Sequence, residues 1–371
     1  MNRITCISCY CTNGWFWGIV LSVLCLLSPF TYAAGSLVPP SGFYLKVRNH
    51  EKKVHSCPKV SPPYTKTLAF PSKYAGSDIE RDHLNPKAHA DYQAQTANIN
   101  ELEKNVSNLV EDYVHGGRRE TLHCVLQWLT VWGEANALEG AAATHTGKAV
   151  RKWVLASLAA SYLRLKFSVS SPLQGELQKA NQIEAWLSDL ADIVVSEWEG
   201  QPLKKINNHN YWAAWAVMAT AVALNRQDFF AWSMKQYDIS TEQVDEEGYL
   251  PNELKRGTLA FSYHNYSMLP LTMMAAFAKA NHVNPTAQGE RDFNRLAIRV
   301  MTNFDDPRDF EKKTGQKQNI SDMQQSSKLA WLEPYCRMFT CEGAVLKRIV
   351  SLRPIKSYRL GGNVTLLFSD P

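Results

Sequence analysis

The sequence is short of the motifs that mark the commonest enzyme chemistries. It has no H-E-x-x-H pair and, beyond residue 34, no His/Cys spacing suited to zinc. No G-x-S-x-G elbow appears, and no glycine-rich dinucleotide fingerprint. His145-Thr146-Gly147-Lys148 lacks the glycine-rich approach of a phosphate-binding loop. These absences exclude a zinc hydrolase, a serine-elbow hydrolase and a nucleotide-dependent enzyme, so no cofactor and no metal is expected. Charge of one sign is also scarce. The 40 Lys+Arg stand against 35 Asp+Glu, and a net +5 is too small to argue for nucleic acid. No sequence repeat of 34 or 40 residues is present, which excludes a solenoid with a copied unit.

Apolar and aromatic material is plentiful: 371 residues, 45% hydrophobic, with 11 Trp and 15 Tyr. That supplies a sizeable core and excludes a disordered chain. The start of the chain stands apart. Residues 1–33 carry one charge, Arg3, then an apolar run from Gly18 to Leu27 and small residues around Ala33 and Ala34. This pattern predicts a signal peptide cut near Ala33, because the run is short for a spanning helix. The exported chain, expected to have no membrane segment, loses only Arg3 and so carries 39 against 35, or +4. Four cysteines leave with the leader, and Cys57, Cys124, Cys336 and Cys341 remain. An oxidising compartment permits disulfides, and of three pairings a local Cys336–Cys341 bridge with a longer Cys57–Cys124 bridge is expected.

Residues 35–75 have no sustained period and read as irregular structure. Further on, Ile99, Leu102, Val106, Leu109, Val110 and Tyr113 recur at threes and fours, with Gly116-Gly117 as a stop. Leu122, Val125, Leu126, Leu129 and Trp132 continue the period up to Gly133. Helical patterns follow at 147–166, 178–199, 209–225, 227–238, 265–281 and 288–303. Short joints predict antiparallel hairpins, and helices apolar nearly all round, such as 153–160, need protein on most sides. The prediction is one all-α domain over 34–371, a helical barrel or toroid. Residues 304–327 read as a long surface loop, and 364–368 as a short strand or extended strap.

Two segments carry the chemistry. Asn207-Asn208-His209-Asn210-Tyr211-Trp212 is poor helix-interior material and suits a helix start, where Asn caps free N–H groups. In Arg256-Gly257-Thr258-Leu259-Ala260-Phe261-Ser262-Tyr263, Arg256 and Tyr263 are seven apart and share a face if the stretch is helical. Arg holds a carboxylate in a two-point fork, and a phenol beside such a cation is expected to have a lowered pKa. Lys73 in a loop and Arg359 before Gly361-Gly362 add positive charge. Amide, imidazole, guanidinium and phenol together suit an anionic substrate broken without metal.

The segments N-N-H-N-Y-W-A-A-W-A (207–216), L-P-N-E-L-K-R-G (250–257), Y-H-N-Y-S (263–267), S-K-Y-x-G-S-D (72–78), W-L-E-P-Y-C (331–336) and R-L-G-G (359–362) resemble, in order, those of polysaccharide lyase family 5, the alginate or poly(β-D-mannuronate) lyases of Gram-negative alginate producers. The resemblance implies an incomplete (α/α) toroid with a lid loop, located in the periplasm and cleaving a polyuronate by β-elimination. It maps the catalytic set onto Asn208, His209, Arg256 and Tyr263, and substrate contacts onto Lys73 on the lid, Trp212, Tyr266 and Arg359. The implied partner is alginate or polymannuronate, with a periplasmic alginate-secretion complex as a further association of an otherwise monomeric protein. The family often has Ser where Asn210 stands, a second basic residue at Gly257 and Asn at Thr144. The alternatives are a non-catalytic polyuronate-binding or export-assembly protein on the same toroid, or a lyase for another polyuronate.

Overall fold

A computed structural model describes residues 35–48, 56–74 and 81–368. The leader expected at 1–33 lies outside the described residues, as does the 75–78 part of the expected lid. From Ser36 onward the described chain forms one compact unit.

Helices dominate, and their sequence explains where each begins and which face it buries. α1 (Pro86–Gln95) and α2 (Ala97–Gly116) lead into α3 (Arg119–Glu134). Every apolar position that recurs along α2 and α3 is buried. α2 ends at Gly117, whose φ of +70° is the left-handed turn that glycine adopts without strain. Gly133 does not end α3. It lies within the helix because a Cβ there would come 3.3 Å from Trp186 Cβ, so its role is close helix packing.

α4 (His145–Lys166), α5 (Leu177–Trp198), α6 (Asn208–Leu224) and α7 (Gln227–Glu242) follow, then the single turn α8 (Pro251–Leu254), α9 (Ala260–Ala280) and α10 (Ala287–Thr302). α2, α4, α6 and α9 pack side by side as an inner row, backed by α3, α5, α7 and α10. This is a toroid of antiparallel hairpins, as the helical pattern predicted, and an incomplete one, as the resemblance implied. α6 occupies its centre and is buried on every side. Its alanines at 213, 214, 216, 219, 221 and 223 let α4 and α9 approach closely.

The expected loop at 304–327 is not wholly irregular. It contains α11 (Arg308–Thr314), anchored by the buried Phe310, a short apolar content that falls below what periodicity detects. Beyond it lie α12 (Leu332–Met338) and α13 (Gly343–Leu352). Residues Val364–Phe368 form a helical turn, α14, and not a strand. Val364, Leu367 and Phe368 share its buried side, with Phe368 edge-on to Phe43. Just before α14, β1 (Lys356–Ser357) and β2 (Gly362–Asn363) pair antiparallel around the turn that carries Arg359. That turn requires glycine. Gly361 and Gly362 have φ of +101° and +95°, and a Cβ on Gly362 would meet Arg164 Nη1 at 2.7 Å.

The irregular N-terminal stretch is tied to both ends of the inner row. Leu37 and Val38 donate backbone N–H groups to Asn225 and Asn281 at the C-terminal ends of α6 and α9, each at 2.8 Å. Leu68 runs beside Ala142, and Gly147 has no room for a Cβ because Leu68 O would lie 2.1 Å from it. Disulfides join Cys57 to Cys124 and Cys336 to Cys341, the expected pairing. No described helix is long and apolar enough to cross a membrane.

Candidate active site

The N-terminus of α6 supplies the first group of site residues. Asn207 caps it, accepting from the His209 N–H at 3.0 Å, and Asn210 returns the favour to the Asn207 N–H at 3.5 Å. This reciprocal cap explains Asn210. It leaves Asn208 and His209 in the first turn, turned toward neighbouring elements. Asn208 donates from its backbone to Glu253 Oε1 at 2.6 Å and from its side-chain amide to both Glu253 oxygens, at 3.0 and 3.2 Å. Glu253 belongs to α8 and is 1% exposed. Its burial holds its pKa above the ordinary carboxylate value, against the opposing pull of the Asn208 hydrogen bonds and Arg256. The two motifs singled out in the sequence are therefore joined through a residue that was not.

His209 is half-buried. Its Nδ1 is 2.8 Å from Lys152 Nζ, and the same nitrogen donates to the His209 carbonyl oxygen at 2.8 Å. Trp198 stacks on the imidazole with ring centres 5.8 Å apart, and His145 meets it edge-on at 4.6 Å. Burial, then the basic neighbours Lys152, His145, Arg256 and Arg81, hold its pKa well below the usual histidine value. His145 is lowered to about 4 by burial, Lys152, Arg81 and Lys148.

Arg256 and Tyr263 do meet, but not along one helix. The chain turns at Gly257, in a 3-10 turn over Gly257–Leu259, before α9 begins. Gly257 has φ +50°, and a Cβ would sit 2.6 Å from Gln316 Oε1, which accounts for glycine at this place. The Arg256 guanidinium carbon lies 3.8 Å from the Tyr263 ring centre and 5.4 Å from that of Tyr74, and Nη2 donates to Arg81 O at 2.7 Å. The expected lowering of the Tyr263 pKa is corrected by the structure. Burial raises it by more than the Arg256 charge lowers it, and a hydrogen bond with Tyr74 adds to the rise.

The remaining predicted contacts extend the site past Tyr263. Tyr266 lies one helical turn on, its ring 6.3 Å from that of Tyr263, and its hydroxyl accepts from Arg359 Nη1 at 3.4 Å. Burial pushes the Tyr266 pKa up to about 12, with Arg359 opposing. Arg359 lies 4.7 Å over Trp153, and its Nε is 3.6 Å from the buried Glu103. Trp212 does not face open space. It is 1% exposed and backs Tyr266 at 5.2 Å between ring centres, because the inner position of α6 turns it into the core. Lys73 is exposed, with Nζ 5.0 Å from the Tyr74 ring, and so reaches the site beside Arg256.

A cleft of about 950 Å³ opens at His209 and Arg256 and is lined by Arg81, Lys148, Lys204, Lys205 and Lys255, with Glu197 as its acidic residue. Cations around a walled cleft draw anions more strongly than scattered ones. Among the described residues no group of three or more His, Cys, Asp or Glu is placed to hold a metal ion. Thr144 stands at the cleft wall and caps α4, accepting from Gly147 N–H at 3.0 Å while donating to Phe70 O at 2.9 Å.

Comparison with known proteins settles the family. The model described as "Alginate lyase" matches residues 69–310. The chain belongs to the alginate lyase family. An alginate lyase of Pseudomonas aeruginosa is 46% identical over 344 residues, spanning 93% of this chain and 94% of the relative. One from Pseudomonas syringae pv. syringae is 46% identical over 353 residues, spanning 95% and 93%. Among solved structures, alginate lyase A1-III complexed with tetrasaccharide has a TM-score of 0.72 at 22% identity, covering 86% of this chain and 88% of that one. A1-III from Sphingomonas species A1 gives 0.71 at 22% identity, covering 89% and 91%. These two share the fold.

Sequence reasoning missed Lys152, Glu253 and His145. Lys152 sits in a helix that is apolar around it, where a lysine at helical spacing reads as ordinary surface charge. Glu253 was hidden inside a quoted motif. Its offset of two residues after Pro251, at a helix start, was the available signal.

Proposed function

We propose that the protein cleaves alginate by β-elimination of the 1,4-glycosidic bond, with β-D-mannuronate preferred, leaving a 4,5-unsaturated uronate end. The observation that carries this is that Arg256, which lines a basic cleft together with His209, is stacked on the Tyr263 ring. The proton on carbon 5 of a uronate is weakly acidic because the adjacent carboxylate is already negative. Arg256 and His209 offer preorganised donors to that carboxylate as it gains charge, and the second Asn208 amide hydrogen, beyond the one Glu253 shares between its oxygens, joins them.

In β-D-mannuronate the C5–H and C4–O bonds lie on one face of the ring, so one side chain serves both. Tyr263 as phenolate takes the C5 proton, the electron pair forms the C4–C5 double bond, and the C4–O bond breaks. The leaving oxygen takes the proton back from Tyr263 Oη, which regenerates the phenolate. Tyr266, Arg359 and Lys73 contact neighbouring uronates, with Trp212 holding Tyr266 from behind.

The leader-like start supports export to the periplasm, where the protein, acting as a monomer, clears alginate that strays during secretion. Side-by-side assays of polymannuronate, polyguluronate and polyglucuronate, read by the ultraviolet absorbance of the unsaturated product, test the substrate. Absence of product from all three overturns the reading, and stronger activity on polyguluronate overturns the preference.

A further inference from the structure

Lys152 is fully buried on α4, and among the described residues no carboxylate is in ion-pair contact with it. Its amino nitrogen is held instead by one residue and two rings. It bonds both His209 Nδ1 and the His209 carbonyl oxygen, and lies 3.7 Å over Trp198 and 5.5 Å from the Trp153 ring. Aromatic faces stabilise a cation best where water is excluded. So costly a burial of an ionisable group, directed at one imidazole, asks for a role at that imidazole.

We propose that Lys152 is a positioning residue that holds His209 as the neutral tautomer protonated on Nε2, so that His209 meets the substrate as a hydrogen-bond donor and leaves Tyr263 as the base. This deepens the lyase reading above and rests on it. Burial, then the Arg359 charge, holds the Lys152 pKa well below its ordinary value, with Glu197 opposing. Charged or neutral, the amine has a proton for each of its two His209 contacts, so as donor to both it meets Nδ1 through the ring's own lone pair. A neutral imidazole then carries its single proton on Nε2, the nitrogen left for the cleft. Two bonds from one Nζ to ring and carbonyl of the same residue also fix the ring's rotation.

A second proton on the imidazole is opposed from every side. Lys152 and His145 of α4, Arg256 ahead of α9 and Arg81 ahead of α1 are all basic. Glu197 of α5 is the acidic neighbour, and it is engaged by Arg151. With a proton on Nε2 and no free lone pair, His209 donates to a uronate carboxylate but does not accept the C5 proton. Attack from the face opposite Tyr263, which guluronate requires, therefore has no base. Lys152 thus becomes a determinant of which uronate is cut, although it touches none.

Nitrogen-15 NMR of the full-length protein with labelled histidine, His209 being assigned by its loss in His209→Gln, reads the tautomer directly. Expected are an unprotonated Nδ1 and a protonated Nε2 across the active pH range. A proton on Nδ1 in the wild type overturns the proposal. In Lys152→Met, Nδ1 loses its donor. The tautomers mix, kcat on polymannuronate falls about a hundredfold with little change in KM, and an acid-side limb from His209 appears in the pH profile. Lys152→Arg, which keeps a donor, restores part of kcat and the wild-type profile. An unchanged tautomer and pH profile in Lys152→Met overturn the proposal, and should that variant fail to fold, the wild-type spectrum decides. If the wild type releases no unsaturated product from any polyuronate, the lyase reading fails while the spectrum still decides the tautomer.

Discussion

The Arg256 guanidinium carbon sits 3.8 Å from the centre of the Tyr263 ring, a stacked cation on a phenol that burial keeps protonated. If Tyr263 acts as phenolate, the working fraction grows with pH. Because its pKa is raised, kcat/KM should climb through the neutral range and into the alkaline range until the protein unfolds. Arg256 lowers that pKa, so Arg256→Gln should shift the rising limb to higher pH as well as weaken binding. Tyr263→Phe should lower turnover by about a hundredfold or more. Initial rates across pH on polymannuronate check all three, and a Tyr263→Phe enzyme of near-normal turnover sinks the role.

Glu253 ties Asn208 to α8 through three hydrogen bonds. Its carboxyl oxygens also sit at the α6 N-terminus, where free N–H groups favour negative charge. In Glu253→Gln the new amide hydrogens face Asn208's donors, leaving buried groups unpaired. A loss of about 1–3 kcal/mol in stability is expected, with a fall in kcat as Asn208 loses its fixed position beside His209. Denaturant titration and steady-state kinetics separate the two effects.

Much of this was legible from spacing alone. The 3.6-residue period located the long helices, whereas the turn at Gly361-Gly362 beside Arg359 showed itself only in the structure. Amide, imidazole, guanidinium and phenol in two segments drew attention because they are wasteful in a helical core, and the family resemblance mapped the catalytic set onto Asn208, His209, Arg256 and Tyr263. What spacing does not carry is depth. Trp212 and Tyr266 look alike on paper, yet the inner position of α6 buries one behind the other. The Tyr263 pKa went the opposite way for the same reason, since desolvation outweighs a neighbouring charge that sequence makes visible. Lys152 escaped notice because its partner, His209, is 57 residues away.

Arg164 is buried completely on α4 and donates from Nη2 to Glu111 at 2.6 Å, while its Nε and Nη1 have no hydrogen-bond partner among the described residues. Burial alone would raise the Glu111 pKa from its ordinary 4.5, but the attraction of Arg164 and the bonds from Arg164 and Asn363 outweigh it and the net shift is downward. A carboxyl lowered on folding adds stability above its unfolded pKa and loses it as pH falls through the folded one. The melting temperature should therefore drop as pH falls below about 4.5. Glu111→Gln, which strands the buried guanidinium, should cost about 3–5 kcal/mol at neutral pH and flatten the acid dependence of what stability remains. Thermal melts of both proteins from neutral to acid pH check it.

The two disulfides close loops of very different size, 67 residues for Cys57–Cys124 and five for Cys336–Cys341. A cross-link restricts the unfolded chain more when its loop is longer, and the chain-entropy estimate gives about 4 kcal/mol for the first and about 2 kcal/mol for the second. The long bridge also fixes Cys57, which precedes the segment bonded to α2, α3 and the α4 approach, to α3 itself: Ser61 O accepts from Trp132 Nε1 at 3.1 Å, and Tyr64 O accepts from Leu138 N–H at 2.8 Å. That segment continues to Lys73 and Tyr74 beside Arg256. Replacing Cys57 and Cys124 with Ser should therefore lower stability by the larger amount and also raise KM for alginate, whereas replacing Cys336 and Cys341 should lower stability alone. Denaturant midpoints together with KM distinguish the pair, and equal KM values in both variants would show that the bridge at Cys57 does not help place Lys73.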